Sequence, residues 1–311
     1  MNLRYICCQP AETYFTWQIE IMIYNFLSVG IRKEDIHIVN SAKEVPPEWK
    51  RLEEKYKGVT FAYYPDTREW HGYQPSIYFN ALKQHLEANP WLEKKVLFLH
   101  DSDILFTRKP DFEVFENDNI CYLSDTISYI GADYILSKKR QGTETQFEDM
   151  CAIVGVDSEK VKSEQKNSGG GQYIIKGATF EMFDKIEKDS IKIYQFLSKK
   201  EPFWKKQHET DYPIQKWTAG MWAFLWNLWY FKKEVKVDER LAFSWATSDF
   251  KDIEKYTIFH NAGVVDATEG LFHKLSYRFK TPYNEDLKLS KDKASFWYYK
   301  WVQLVAKNTV L

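Results

Sequence analysis

Cysteine is scarce in this chain of 311 residues, and its four cysteines form no pattern that would cross-link the fold. Cys7 and Cys8 are adjacent, whereas Cys121 and Cys151 each stand alone among apolar residues. Such positions match neither the spacing of a small disulfide scaffold nor the ligand spacing of a zinc site. We therefore expect a reducing, cytoplasmic setting and a fold that is stabilised by its core.

An excess of one charge and a long apolar run are also missing. The 43 Lys and Arg residues nearly balance 44 Asp and Glu, which argues against a broad basic surface for nucleic-acid backbones but leaves room for a local basic groove. The very apolar residues 221–231 are far fewer than the ~20 that a membrane-spanning helix needs, so we predict a buried core helix there. The amino terminus does not resemble a signal peptide, and we expect no transmembrane segment.

Short apolar runs alternate with helical patterns in the first third of the chain, which is typical of β-α-β units. Strands are predicted at residues 4–8, 35–40, 59–63 and 95–100. The last of these is apolar on both faces, as strands of a covered parallel sheet are. We predict an α/β fold with a mostly parallel central sheet flanked by helices, in one domain over residues 1–311.

The alternation is looser after residue 103. The patterns predict further strands at 119–124, 171–176, 234–237 and 257–260. Helices are predicted at 146–153, 179–197, 212–231 and 296–305, with a charged loop at 199–209.

Two aspartates follow the strand predicted at residues 95–100. Asp101 and Asp103 are two residues apart, and close carboxylates beside an apolar sheet repel each other unless a cation lies between them. Ligands of open α/β sheets bind beyond the carboxyl ends of strands, and carboxylate oxygens suit Mg²⁺ or Mn²⁺. The pair predicts a divalent-cation site that would hold a diphosphate; a polar turn or a helix cap is the alternative.

A second motif is the glycine-rich segment from Asn167 to Gln172, which leads into a predicted strand. Three consecutive glycines, Gly170 in the middle, would let the backbone approach a ligand closely. The neighbouring amide and hydroxyl groups would bind a hydroxyl-rich ligand. The lysine and Ser/Thr of a phosphate-binding Walker loop are missing, and a flexible hairpin is the alternative.

A third motif begins at His260, again where a predicted strand ends. Neutral imidazole is a good partner to carboxylates around Mn²⁺, although a single histidine after an apolar strand is more often structural. Lys274 follows 14 residues later and could neutralise a leaving diphosphate as a point charge.

The order of these motifs resembles that of nucleotide-sugar-dependent glycosyltransferases with the GT-A fold, and the last motif is similar to that of glycogenin-like retaining members. The resemblance implies that Asp101, Asp103 and His260 hold Mn²⁺ (or Mg²⁺). It also implies that the donor is a nucleoside diphosphate sugar, with UDP-sugars as the first choice, and that Lys274 contacts its diphosphate.

The amino terminus looks like that of the plant hydroxyproline arabinosyltransferase and peptidyl-serine galactosyltransferase group. By this resemblance Gln9, Pro10 and Tyr14 would contact the nucleotide. The N-x-G segment of the glycogenin-like members implies that Asn167 and Gly170 also belong to the donor site. One departure is Gly220, because the plant group has a glutamate before its Met-Trp/Tyr-Ala stretch. A mechanism that uses that glutamate would not transfer to this chain.

Three further side chains are candidates for the sugar end of the site. Asp125 and Gln172 would hold sugar hydroxyls. Asp211 precedes the helix predicted at 212–231, where a helix cap is the alternative role. In this fold class such a carboxylate deprotonates the acceptor or positions the donor sugar, and Asp211 is our candidate for either role.

Residues 1–103 would then form the nucleotide-binding half, residues 104–285 the half for donor sugar and acceptor, and residues 286–311 a C-terminal helical segment. The acceptor stays open among a glycan, a protein hydroxyl, a small molecule and a modified nucleic-acid base. Two alternatives remain: a non-catalytic carbohydrate-binding protein of the same fold, and a metal-dependent nucleotidyltransferase. The second should have a glycine- and basic-rich loop after its first strand, where this chain has Gln-Pro-Ala-Glu.

Overall fold

A seven-stranded sheet forms the centre of the protein, whose computed structural model describes residues 2–207 and 213–309. The strands in chain order are β1 (Leu3–Pro10), β2 (Ile36–Ser41), β3 (Thr60–Tyr64), β4 (Val96–His100), β5 (Ile104–Phe106), β6 (Cys121–Asp125), β7 (Gly169–Lys176), β8 (Val235–Val237), β9 (Phe243–Trp245) and β10 (Ile258–His260). The central sheet has the order β3-β2-β1-β4-β7-β6-β8. Strand β7 is antiparallel to both of its neighbours, whereas the other pairings in this sheet are parallel.

Helices cover both faces of this sheet. In chain order they are α1 (Thr13–Ser28), α2 (Pro47–Lys55), α3 (Ser76–Ala88), α4 (Ile127–Ile130), α5 (Ala132–Ser137), α6 (Gln146–Val154), α7 (Ser158–Ser163), α8 (Phe180–Gln207), α9 (Ala219–Tyr230) and α10 (Ala294–Thr309). Alternate side chains of β4 enter opposite cores, because successive strand residues point to opposite faces. Leu97 and Leu99 join the core of α3, α8 and α9, while Val96 and Phe98 join the core of α1 and α10.

A small second sheet, β5-β10-β9, extends from the carboxyl end of β4. Strand β10 is antiparallel to β5, with His260 opposite Ile104, and the backbone N–H of Asn261 donates to the carbonyl of Asp103 at 2.9 Å. This register brings the end of β10 to the segment that joins β4 to β5. Asp101 and Asp103 lie on that segment.

The predicted fold class is confirmed: the chain forms one α/β domain whose mostly parallel sheet is flanked by helices. The buried helix predicted at residues 221–231 is also confirmed, since ten of the twelve residues of α9 are buried. Within the described ranges, no helix combines the length and the apolar character needed to cross a bilayer. The division of the domain at residues 103 and 285 stays a prediction.

Two helix boundaries differ from the prediction. The sequence predicts a loop at residues 199–209. This prediction is wrong for residues 199–207, because α8 continues to Gln207. Trp204 is buried there, and its indole N–H donates to the carbonyl of Lys138. Helix α9 begins at Ala219 rather than near residue 212, because the Tyr73 hydroxyl donates to the carbonyl of Trp217 and accepts from the N–H of Gly220.

Candidate functional site

Two carboxylates and one imidazole converge beyond the carboxyl end of β4. Nε2 of His260 lies 3.4 Å from Oδ2 of Asp101 and 3.3 Å from Oδ1 of Asp103. One ligand atom from each of the three residues falls within 4.8 Å of the others. The structure therefore brings together the three residues that the sequence predicts as metal ligands.

Lys274 adds a positive charge on the far side of Asp103. Its ammonium group donates to Oδ2 of Asp103, while Oδ1 faces His260. Burial by itself would raise the pKa of the Asp103 carboxyl, but attraction to Lys274 and His260 outweighs it and holds the pKa well below its usual value. Asp103 is therefore an anion at neutral pH.

The donor set fits Mn²⁺ or Mg²⁺. Carboxylate oxygens and a neutral imidazole are ligands that Mn²⁺ accepts, and Mg²⁺ prefers the oxygens. Asp103 and His260 are nearly enclosed, at 4% and 9% side-chain exposure, whereas Asp101 exposes 54% of its side chain. A cation held by these residues would thus be open to a ligand from the side of Asp101.

Gln172 is bonded to the imidazole and not directed at an open space. Its Nε2 donates to Nδ1 of His260 at 3.1 Å, and its Oε1 lies 2.7 Å from the hydroxyl of Ser124. That hydroxyl is also 2.7 Å from the carbonyl oxygen of Leu241. Gln172 and Ser124 are both fully buried. These contacts place Gln172 behind His260, although the sequence suggests a role in binding sugar hydroxyls.

Tyr14 approaches the same cluster from the first turn of α1. Burial raises the pKa of its phenol, and the charges that act on it most strongly are those of Lys274 and Asp103. The next turn of α1 contributes Gln18, whose Oε1 accepts from the hydroxyl of Ser102 at 3.3 Å. Helix α1 thus packs against the segment that carries both aspartates.

The charge of Asp101 also acts on two further phenols. Burial, and next the charge of Asp101, raise the pKa values of Tyr129 and Tyr173. Asp125 also acts on Tyr129, and its Oδ1 accepts from the backbone N–H of Ile127, so that it caps the turn after β6. The Asp125 side chain is exposed.

The glycine-rich segment is the beginning of β7, not a loop before it. A methyl group on Gly170 would come within 2.4 Å of the Met221 side-chain methyl and 3.2 Å of the Tyr173 hydroxyl. The close approach predicted for this glycine is thus an approach to α9 and to Tyr173.

Of the other predicted residues, two belong to β1, one lines a separate cavity and one lies outside the described ranges. Gln9 is buried in β1, where its Nε2 donates to Oδ1 of Asn40 at 2.6 Å, and Pro10 ends that strand. Asn167 donates to Glu164 and lines a cavity of about 1050 Å³ whose described lining contains no member of the metal-ligand cluster. Asp211 lies outside the described residues.

The structure adds two residues that the sequence prediction missed. Both amide atoms of Asn261, a residue that is only 2% exposed, lack a hydrogen-bond partner among the described residues. The buried hydroxyl of Tyr298 is also without one, and burial followed by the charge of Asp103 raises its pKa. Adjacency to His260 was the signal that could have drawn attention to Asn261.

The matches to known proteins are matches of structure. No protein-family model and no curated protein sequence matches it. The bifunctional glycosyltransferase WbbM matches at 8% identity and TM-score 0.49 over 97% of this chain and 50% of its own. GlyE of Streptococcus pneumoniae TIGR4 matches at 12% identity and TM-score 0.44 over 100% of this chain and 64% of its own. Mouse xyloside xylosyltransferase 1 matches at 10% identity and TM-score 0.43 over 84% of this chain and 98% of its own.

The chain therefore spans about half of WbbM and under two thirds of GlyE. Similarity at this level carries no inference about reaction, donor or acceptor, and the resemblance to the plant arabinosyltransferase group stays a prediction. The function is therefore argued from the cluster of Asp101, Asp103 and His260 with Lys274.

Proposed function

We propose that this protein is a metal-dependent glycosyltransferase of the GT-A fold. It would transfer a sugar from a nucleoside diphosphate sugar, with UDP-sugars as the first choice, to an acceptor hydroxyl. The observation that carries the proposal is the convergence of Asp101, Asp103 and His260, with Lys274 bonded to Asp103, at the carboxyl end of β4. Ligands of open α/β sheets bind at this edge.

The charges around the cluster suit a diphosphate. Asp101, Asp103 and His260 would hold the cation, which when bound would supply positive charge against the departing diphosphate. Lys274 would add a point charge on the same group. The chain would thus balance the charge that develops when the bond from the sugar to the diphosphate oxygen breaks.

Two carboxylates are assigned to the sugar end of the reaction. Asp125, an exposed carboxylate, would bind sugar hydroxyls. Asp211 is our candidate for accepting the proton of the acceptor hydroxyl as its oxygen bonds to the sugar, or for positioning the donor sugar. The nucleotide would lie along the carboxyl ends of β1 and β4, near Tyr14.

The test is hydrolysis of UDP-sugars in the presence of Mn²⁺, which needs no acceptor because water takes its place. Asp103→Asn removes the charge that faces both His260 and Lys274, so we expect at least a 100-fold loss of Mn²⁺-stimulated hydrolysis, the usual size of losing one stabilising group of this kind. The measurement is release of UDP from a panel of UDP-sugars, with and without EDTA.

Asp118→Asn is the matched control. Asp118 also forms an ion pair, with Lys176, but Lys176 is paired with Val96 at the opposite end of β4. Hydrolysis should be unchanged in this variant. Full activity of Asp103→Asn, or hydrolysis that is equal with and without EDTA, would contradict the proposed metal centre.

A further inference from the structure

The hydrogen bonds behind His260 form a chain that ends on the backbone. It runs from Nδ1 of His260 through the amide of Gln172 and the hydroxyl of Ser124 to the carbonyl of Leu241. A hydroxyl has one proton, so Ser124 donates either to Gln172 or to Leu241 but not to both. The chain therefore has two possible directions.

In the direction that the structure records, the Gln172 amide N–H donates to Nδ1 of His260. Nδ1 is then an acceptor, and the proton of the neutral imidazole lies on Nε2, which faces Asp101 and Asp103 at 3.4 and 3.3 Å. The Ser124 hydroxyl donates to Oε1 of Gln172. This arrangement suits a site where the imidazole itself bonds to the two carboxylates.

A divalent cation between the carboxylates requires the opposite direction. It would bind the lone pair of Nε2, and the remaining imidazole proton must then lie on Nδ1. An N–H on Nδ1 would meet the N–H of the Gln172 amide, and two buried donors that face each other leave both unpaired, at a cost. A half-turn of the amide removes the conflict, because Oε1 then accepts from Nδ1 of His260.

The half-turn also improves the rest of the chain. Nε2 of Gln172 would donate to the Ser124 hydroxyl oxygen, and that hydroxyl would donate to the carbonyl of Leu241, so that each group in the chain has a partner. An amide side chain can reverse in this way, since it has both a donor and an acceptor. The imidazole keeps the same number of protons: one leaves Nε2 to solvent and one arrives at Nδ1.

We propose that Gln172 is a positioning residue whose amide turns over when a divalent cation binds, and that this turn selects the His260 tautomer that can act as a ligand. The proposal rests on the metal centre of the proposed function. It assigns Gln172 to the cation and not to the donor sugar. Cation binding and the direction of the buried hydrogen-bond chain are thereby coupled.

The first test follows the tautomer directly. The protein is labelled with ¹⁵N-histidine and studied by NMR at a pH where imidazole is neutral, with the signals of His260 assigned by their loss in His260→Gln. Without cation, the proton should be on Nε2. Saturating Mg²⁺, with and without UDP, should move it to Nδ1. A proton on Nδ1 before Mg²⁺ is added, or no change once Mg²⁺ is bound, would overturn the proposal.

The second test uses two substitutions that a simple tether would not distinguish. As a carboxylate, Gln172→Glu can only accept from Nδ1, so in that form it should hold the ligand tautomer even without cation and bind Mn²⁺ at least as tightly as the parent. Gln172→Met can neither accept nor donate, and its Mn²⁺ affinity by calorimetry should fall about 10- to 100-fold. Equal weakening in both variants would mean that Gln172 merely fixes the ring in place.

Gln146→Met is the matched control, because Gln146 is equally buried but its amide donates to the carbonyl of Ile135. Its Mn²⁺ affinity should equal that of the parent. If Gln172→Met does not fold, the NMR measurement of the His260 tautomer in the unmodified protein still tests the proposal. UDP-sugar hydrolysis on the same samples separates the two proposals: a tautomer change without hydrolysis removes only the proposed function, and hydrolysis without a tautomer change removes only the role of Gln172. A protein that binds no cation overturns the inference.

Discussion

At the scale of single residues, the buried amide of Asn261 reduces the stability of the folded protein. Leaving a buried polar group without a hydrogen bond costs about 1–3 kcal/mol, and neither amide atom of Asn261 has a partner among the described residues. The residue follows His260 directly, and its backbone N–H is already bonded to the carbonyl of Asp103. An amide held unpaired at this point is suited to a polar ligand of the same site.

Asn261→Leu should therefore separate stability from binding. The substitution replaces the unpaired amide by an apolar side chain of similar size, so we expect the free energy of unfolding to rise by about 1 kcal/mol or more. The affinity for UDP with Mn²⁺ should fall about 10- to 100-fold, because a hydrogen bond to a charged ligand is worth about 1.5–3 kcal/mol. Urea unfolding and calorimetry measure the two effects.

The control for Asn261 is Asn25→Leu. Asn25 is also buried, but its amide donates to the carbonyl of Phe106 and accepts from the N–H of the same residue. This variant should lose stability. If Asn261→Leu lost as much, the Asn261 amide would have structural partners, contrary to the role suggested for it.

At the scale of elements, the beginning of β7 explains why three glycines follow one another. A methyl group on Gly169 would lie 2.5 Å from Cβ of Leu123 and 2.7 Å from the carbonyl oxygen of Ser124. Gly171 has a φ of +81°, although the nearest atom to an added methyl would be 3.8 Å away. Gly169 is thus required by the pairing with β6, and Gly171 by its backbone conformation.

Substitution of these glycines by alanine should follow that difference. Gly171→Ala should cost about 1–2 kcal/mol, the penalty for a left-handed residue with a side chain. Gly169→Ala should cost more, because strand backbone cannot move aside as the end of a side chain can. Gly270→Ala, at φ +69° with nothing within 4 Å, isolates the conformational term. If urea unfolding showed that Gly169→Ala loses no more stability than Gly270→Ala, this explanation would be wrong.

The same segment shows what could be predicted for single elements. The continuous apolar run of β4 predicts its buried position and places Asp101 and Asp103 at its end, because the signal is local. The glycines after Asn167 indicate a special backbone but not its cause, since the atoms that exclude a side chain belong to β6 and α9. The end of α8 was missed because the core contact of Trp204 is with a distant segment.

At the scale of the whole molecule, the candidate site depends on contacts between remote parts of the chain. Lys274 and Asp103 are 171 residues apart in sequence, and family resemblance, not local pattern, linked them before the structure did. Gln172 was singled out from the glycine-rich segment, but its bonds to His260 and Ser124 could not be predicted because they join β7 to remote segments, β10 of the second sheet and β6. The fold class was therefore more predictable than the roles of individual side chains.

A buried histidine pair connects the stability of the molecule to pH. The hydroxyl of Tyr64 lies 3.0 Å from Nδ1 of His85, whose Nε2 lies 3.0 Å from Nδ1 of His37. Burial lowers the pKa of His85 to about 4. Burial, together with repulsion from His85 and Arg4, lowers that of His37 to about 3. Both side chains are thus neutral in the folded protein well below the usual pKa of about 6.5.

Acid should therefore unfold the protein progressively from about pH 6.5 downward. Below that pH the unfolded chain binds protons that the folded chain does not, so stability present above pH 6.5 is lost as the pH falls toward the folded values. By pH 4 the loss should be on the order of 3 kcal/mol for each histidine. His37→Gln, which can still accept from His85, should reduce the slope of unfolding free energy against pH by about 1.4 kcal/mol per unit.

Urea unfolding at a series of pH values between 7 and 4 measures that slope. His71→Gln is the control, because the His71 side chain is 60% exposed. The slope of unfolding free energy against pH in this variant should equal that of the parent. The expected effect follows from burial, because His37 takes up its proton only after unfolding. An unchanged slope in His37→Gln would mean that the folded protein admits a proton, and with it water, at the contact between β2 and α3.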